Sequence, residues 1–402
     1  MKKKLIAITL LVLTITPCLR GQNKEISQAR SYIKSGKDLA KAETMLREVI
    51  ENDSTGSIDK RVYAYLLQAI EKQYAEGNEK LYLKQAYDTT ALFTLTKKLF
   101  DVAIQLDSID AQPDEKGRVK IKYRTKNATM LNTCRPNLFF GGTYHLRKGN
   151  YDEAYALFDT YIQCASQPMF AGYDYANSDR RMAEAAYWAT YSGSQLNDAD
   201  KVLKYAEMAE KDTSKLCYVL MYEAEAYQMK DDSDNYIATL VDGFAGFPKF
   251  SYFFPRLIDH YTQTGEFEEA LDVSNKALEV DSTNILFLYA KSNILLTLGK
   301  NDECVDVTLR IVELNDTLPE AYYNIGMALL NKVLLLEKAN DRKAKAEIKR
   351  IYEEARPFLE KYRELAPDRK KKWAPALYRI YLNLNMGRQF EEIDKIINED
   401  RQ

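Results

Sequence analysis

The chain has 402 residues, 46% of them hydrophobic, and its 57 Lys and Arg against 59 Asp and Glu leave a formal net charge of -2. That apolar content supports a continuous core and excludes wholesale disorder; the balanced charge excludes a general nucleic-acid binder, which needs a basic surface to displace counterions. The length accommodates two or three globular domains or one long solenoid.

Residues 1–21 read as a secretory signal. Lys2, Lys3 and Lys4 precede a mostly apolar run from Leu5 to Ile15, Pro17 breaks it, and Gly21 supplies the small residue near which cleavage is expected. The run is too short to span a bilayer, and no later segment is long and apolar enough to do so. Cys18 opens the alternative of acylation and a lipid anchor, although Pro17 stands where that pattern requires Gly, Ala or Ser. The mature protein is therefore expected in the periplasm or at a membrane surface.

Residues 22–134 form an irregular helical region. Asn23 to Gly56 carries Ile26, Ala29, Ile33, Ala42, Leu46 and Val49 at helical spacing. Ser57 to Asp107 starts in the same way, carries an insertion around Gly77 to Thr90, and closes on Ala103 to Asp107. Ser108 to Arg124, with Pro113, Asp114 and Gly117, reads as a linker.

Residues 135–402 are more regular. Arg135 to Pro168 predicts a helical hairpin with Gly149 at its turn and Tyr151, Ala154 and Phe158 in its second arm. Glycine inside a helix costs about 1 kcal/mol relative to Ala, so Gly141 and Gly142 imply close packing. No Gly-Lys-Ser/Thr follows them, which excludes a phosphate loop. Asn150 is placed to cap the second arm, with Glu153 as its capping partner. Cys134 would open this hairpin and Cys164 lies near its end, leaving two readings: a disulfide in an oxidising compartment, or buried free thiols. Met169 to Met182 reads as a connecting loop.

Windows beginning at Ala183, Cys217, Ser251, Ile285 and Pro319 then repeat every 34 residues. Their eighth places hold Thr190, Ala224, Ile258, Ser292 and Gly326, small in all but Ile258. The clearest window is Ser251 to Asn284, with Phe254, Leu257, Ile258 and Tyr261 before Gly265, and Phe267, Ala270, Leu271, Ser274, Ala277 and Leu278 after it. Pro319 to Pro367 carries an insertion, Leu329 to Arg350 reading as helix lengthened past the usual turn. Ala374 to Gln402 predicts a polar-flanked capping hairpin.

Gly265-Glu266-Phe267-Glu268-Glu269-Ala270 and Lys276-Ala277-Leu278-Glu279-Val280-Asp281 resemble the tetratricopeptide consensus. The resemblance implies an all-α fold, a right-handed solenoid of stacked helix-turn-helix hairpins, acting as a noncatalytic adaptor or scaffold that holds a protein or peptide segment in a concave groove. By analogy with the family, the second, fifth and ninth places of each unit face that groove, which implicates Phe139, Tyr187, Tyr191, Tyr218, Met221, Tyr252, Tyr289, Asn293 and Tyr323. Asn293 and Asn324 also stand where some members place the asparagines of a clamp for a terminal carboxylate, but Tyr289 replaces the expected lysine.

Catalytic chemistry finds few candidates. The only histidines, His145 and His260, fall in the first helices of well-separated units, no G-x-S-x-G arrangement occurs, and the dispersed cysteines suit neither zinc nor redox chemistry. No cofactor, metal or nucleic acid is expected. An accessory envelope enzyme or a glycan-binding protein are the alternatives. Asp53-Ser54-Thr55, Asp88-Thr89-Thr90, Asp107-Ser108-Ile109, Asp281-Ser282-Thr283 and Asp316-Thr317-Leu318 resemble acceptor triplets of a Gram-negative periplasmic O-glycosylation system; repeats ending on Asp before a helix breaker account for them equally.

Overall fold

The computed structural model describes residues 23–53, 59–114, 116–338 and 344–399. The segment expected to be a secretory signal, Cys18, Ser54 and Thr55 lie outside them. Every regular element among the described residues is helical, and the chain divides into two compact units that meet in sequence at Asp232 and Ser233. The 34-residue window from Cys217 to Phe250 is split by that boundary.

The first unit begins with α1 (23–35) and α2 (Leu39–Glu51), joined at Gly36, whose φ of 71° suits glycine. Helices α3 (Lys60–Tyr82) and α4 (Thr89–Asp110) follow as a long antiparallel pair. The expected insertion at Gly77 to Thr90 divides between the last turns of α3, to Tyr82, and a connection over 83–88 before α4 opens at Thr89. The helix runs through Gly77, where a Cβ would come within 2.5 Å of the Tyr87 ring, so any larger residue there would have to displace that ring.

The linker proves shorter than its sequence suggests. Helix α4 continues to Asp110, and Arg124 opens an additional helix, α5 (Arg124–Cys134). Two buried carboxylates of α4 hold it. Asp110 accepts from Lys60 Nζ at 2.8 Å and from the backbone N–H groups of Lys122 and Tyr123 at 2.5 and 2.8 Å; Asp107 takes the Arg124 guanidinium at 2.8 and 2.9 Å. Asp107 and Ser108 are thus helical rather than part of a turn, and Cys134 ends α5 instead of opening the next hairpin.

Helices α6 (Pro136–Arg147) and α7 (Tyr151–Gln163) form that hairpin. A Cβ on Gly142 would lie 2.6 Å from the Phe158 ring, and one on Gly141 would lie 2.9 Å from Phe93, so close packing explains both glycines. Asn150 does not cap α7. Its amide turns toward His145 Nδ1 at 3.4 Å, leaving Asp152 and Glu153 to complement the positive end of the helix.

A 3-10 turn at Cys164–Ser166 follows α7, and the predicted loop from Met169 holds most of a second, Pro168–Tyr173, and α8 (Tyr175–Ser178), the segment being pinned by Arg135. This buried guanidinium is sandwiched between Tyr161 and Tyr175, 3.7 and 3.8 Å from the ring centroids, and donates to Asp179 at 2.6 Å and to the Tyr161 carbonyl at 3.1 Å. Helix α9 (Met182–Gln195) then pairs with two short pieces, α10 (Ala199–Leu203) and α11 (Ala206–Ala209), and α12 (Leu216–Met229) packs on all three.

The second unit stacks α13 (Ser233–Gly246), α14 (Phe253–Thr264), α15 (Phe267–Val280), α16 (Ile285–Thr297) and α17 (Asn301–Leu314), each against the next. Gly265, with φ of 83°, ends α14, and Ala270 and Ala277 are fully buried in α15. The insertion after Pro319 lengthens both arms of one hairpin, α18 (Pro319–Lys338) and α19 (Lys345–Leu365). Gly326, at the eighth place, lies so close to Leu359 that any side chain would collide with it. Helices α20 (Lys370–Asn383) and α21 (Gly387–Glu399) complete the stack as the expected final hairpin, Ile393 and Tyr381 being buried there.

Removing Arg135 leaves Asp179 only partly compensated, so Arg135→Ala is expected to destabilise the first unit by about 3–5 kcal/mol. Burial favours the protonated form of Asp179, but the Tyr161 hydroxyl, the Arg181 N–H and Arg135 outweigh it and hold its pKa below the ordinary value. A depressed folded-state pKa gives stability that is present above the unfolded value of about 3.9 and is lost as pH falls through the folded one. Urea unfolding followed through Trp188 in a Trp373→Phe background should therefore show a stability loss below about pH 4, and a shallower one in Arg135→Ala.

Candidate protein-binding surfaces

In the first unit the groove positions fall on α6, α9 and α12. Phe139 is buried, its ring closed over by Phe158 and Tyr161, each 5.7 Å away. Tyr187 is buried between Tyr222 and Lys215, whose ammonium stands 4.7 Å from its ring. Tyr191 and Met221 are half-buried, and Tyr218 is 43% exposed. Around them runs an aromatic ladder from α7 to α9 to α12. Tyr191 meets Tyr151 at 6.0 Å, Trp188 at 6.0 Å and Tyr222 at 5.8 Å. Tyr151, Trp188 and Tyr222 were not among the groove positions, because the family's places count residues along one helix and not the rings that neighbouring helices bring alongside.

In the second unit Tyr252 is buried, with the Arg256 guanidinium 3.6 Å from its ring centroid. Tyr289 and Asn293 are half-buried, as is Tyr323, which lies between Tyr362 at 5.0 Å and the Lys372 ammonium at 5.1 Å. Asn324, only 3% exposed, donates through Nδ2 to Asn293 Oδ1 at 2.7 Å and to Ser292 Oγ at 3.0 Å. Ser292 Oγ is also 2.6 Å from Thr308 Oγ1. The two asparagines of the supposed clamp are thus bound to one another, tying α16 to α18 and leaving Asn324 no amide proton for a ligand.

A surface that sequence reasoning missed runs along α3. Three open clefts, of about 540, 320 and 430 Å³, follow one another: the first two share Tyr65 and Gln68, and the second and third share Glu71. Helix α1 walls the first; α5 walls the other two. Arg61, Tyr65, Gln68, Lys72 and Ala75 mark the outward stripe of α3 at intervals of three or four residues, while Val62, Leu66, Ala69 and Ile70 face the core. That stripe is visible in the sequence, but without α5 it lacks its second wall.

His145 lines one cleft, of about 220 Å³, with Glu153, Lys97, Lys98 and Asp101, but Lys97 is paired with Asp101 and Lys98 with Glu43. His145 is buried in α6, where desolvation holds its pKa below the ordinary value despite Glu153. His260 is half-buried on α14, in the other unit. Cys134, Cys164, Cys217 and Cys304 are free, and burial raises the thiol of Cys134 and pushes that of Cys164 up to about 12, making thiolate chemistry unfavourable there. No group of three or more candidate metal ligands occurs among the described residues. Glu223 on α12 is 8% exposed and has no cationic partner among the described residues. Burial, and then the neighbouring Glu210 carboxylate, push its pKa up.

No protein-family model matches this chain, and no curated protein sequence does. Among solved structures it is similar to the C-terminal part of a TPR repeat-containing protein from Cytophaga hutchinsonii, with 13% identity over 64% of this chain and 93% of that one and a TM-score of 0.42. A TPR repeats protein from Bacteroides fragilis is 19% identical over 62% of this chain and 98% of its own, with a TM-score of 0.32. YrrB, described as a TPR protein with an unusual peptide-binding site, is 17% identical over 50% and 93%, with a TM-score of 0.34. Likeness at this level carries no argument about what the chain binds.

Two measurements follow. Asn324→Ala should destabilise the second unit by about 1–3 kcal/mol, since it leaves Ser292 and Asn293 short of a buried donor, while peptide capture by the folded protein stays unchanged. Glu223 has a raised folded-state pKa, so its contribution is full below the unfolded value of about 4.3 and is lost as pH rises through the folded one. Glu223→Gln should therefore unfold at higher urea than the parent at pH 8, with the gap closing toward pH 4.

Proposed function

We propose that this tetratricopeptide-type stack of helical hairpins is a noncatalytic adaptor of the cell envelope that holds a protein segment against the open faces of its first helices. The observation that carries the reading is the ladder of Tyr151, Trp188, Tyr191 and Tyr222, with Tyr218 exposed beside it. Tyr222 is buried and backs the ladder, while the half-exposed rings of Tyr151, Trp188 and Tyr191 would bury large area on binding, lose few rotamers and keep a hydroxyl or indole N–H for a backbone partner. Burial, which raises the thiols of Cys134 and Cys164 and makes thiolate chemistry unfavourable, supports a binding role over a thiol enzyme. Export belongs to the proposal and rests on the sequence of residues 2–21.

The test places a photo-crosslinking amino acid at Tyr218 in cells that make the protein, with fractionation of the envelope. Discrete adducts with other proteins are expected in the envelope fraction. Tyr191→Ala combined with Trp188→Ala should weaken capture at least about 10-fold, the range of hot-spot aromatics. Unchanged capture in that variant, recovery of the protein in the cytoplasm, or binding to glycans on an array without any protein adduct would overturn the reading.

A further inference from the structure

The second of the α3 clefts combines two features that the packing of the first unit leaves unexplained. Asn127, on α5, is 7% exposed and lines the cleft, yet its Nδ2 has no hydrogen-bond partner among the described residues. A buried amide donor without an acceptor weakens the unit that contains it, and here it borders an opening of about 320 Å³ instead of a sealed core. Such a donor is suited to an acceptor brought in from outside.

The second feature is charge. Arg30 and Lys34 line the first cleft, and Lys122 and Lys126 the second; none of the four has an acidic partner among the described residues. Their neighbours differ in this respect. Arg61 is paired with Asp59, and Lys60 with Asp110. Glu71 stands where the second cleft passes into the third and ends the cationic stretch. Cations left unpaired in a chain of net charge -2 mark a local field, not an overall excess of base.

From these two observations we infer that the α3 groove of the first unit recognises an extended acidic peptide segment. Its carboxylates lie against Arg30, Lys34, Lys122 and Lys126, and one of its carbonyl or carboxylate oxygens accepts from Asn127 Nδ2. Arg61 to Lys72 on α3 spans about 17 Å, room for about five extended residues. A single-stranded nucleic acid fits less well. It needs open aromatic faces for its bases, whereas the Arg30 guanidinium stands 5.0 Å from the Tyr65 ring and the Lys122 ammonium 5.3 Å from Tyr123. The inference rests on the protein-binding reading and adds to it the location and chemistry of a second contact surface, separate from the aromatic ladder.

The test titrates the full mature chain into a fluorescein-labelled 12-residue peptide containing five consecutive Glu, with an equal-length Lys peptide and a 12-nucleotide oligo-dT as comparisons, by anisotropy at 50 mM and 300 mM salt. The Glu peptide should bind at least 10-fold tighter than either comparison, and more weakly at the higher salt. Lys122→Glu with Lys126→Glu should abolish that preference. Asn127→Ala should weaken Glu-peptide binding about 5-fold or more while the thermal midpoint holds or rises, because the donor it removes has no structural partner. The proposal is overturned if Asn127→Ala lowers the midpoint without changing affinity, if the Lys peptide binds equally well, or if oligo-dT binds more tightly through the same lysines. Protein adducts at Tyr218 alongside a failed Glu-peptide titration would sink the acidic groove alone; absence of both would sink the adaptor reading with it.

Discussion

The structure depends on helices approaching one another more closely than ordinary side chains allow. Gly142 against Phe158, Gly326 against Leu359, and the fully buried Ala154, Ala185, Ala270 and Ala277 all stand at such seams. At each, the absence of side-chain volume lets one arm of a hairpin sink onto the other, and the dispersion energy gained there offsets the poor helix propensity of glycine. The consequence for function is indirect but strong. A hairpin closed along its seam turns its other faces toward the next hairpin or toward solvent, and the stripe of α3 from Arg61 to Ala75 is such a solvent face.

Polar pins decide what the seams leave open. Asp107 and Asp110 hold α5 beside α3, Arg135 holds the segment after α7, and Asn324 ties α16 to α18. Each is a buried polar group bonded to another element, although Arg135 Nε has no partner among the described residues, so each specifies one arrangement of elements that apolar packing alone would leave ambiguous. Asn127 and Glu223 break that pattern in the same unit. The first lacks an acceptor at an open cleft and the second lacks a cation in the interior, which is why one points to a ligand and the other only to pH-dependent stability.

The hairpins from α14 onward were legible because close seams demand small residues at fixed places, which Ala270, Ala277 and Gly326 supply, and because Gly265 marks the turn between α14 and α15 with a positive φ. Helix α5 was not legible. Only Ala128, Met130, Leu131 and Cys134 of its eleven residues are apolar, and it is held largely through carboxylates of α4 that no periodicity announces. The division at Asp232 was hidden too, since the 34-residue register runs through it unbroken. Among the candidate site residues, Tyr218 is exposed and Tyr191, Met221, Tyr289, Asn293 and Tyr323 are half-buried, whereas place in the repeat could not foresee that Phe139, Tyr187, Tyr252 and Asn324 would be covered by residues from adjoining turns and helices.

The central claim is that the seams leave first-helix faces free to take up a polypeptide. Hydrogen exchange of the protein, with and without a partner recovered from cells, tests it most directly. The account predicts slowed exchange in α3 and α5, or in α9 and α12, with the second arms α2, α4, α15 and α17 unchanged. Protection confined to those second arms, with α3, α5, α9 and α12 exchanging as in the free protein, would contradict it.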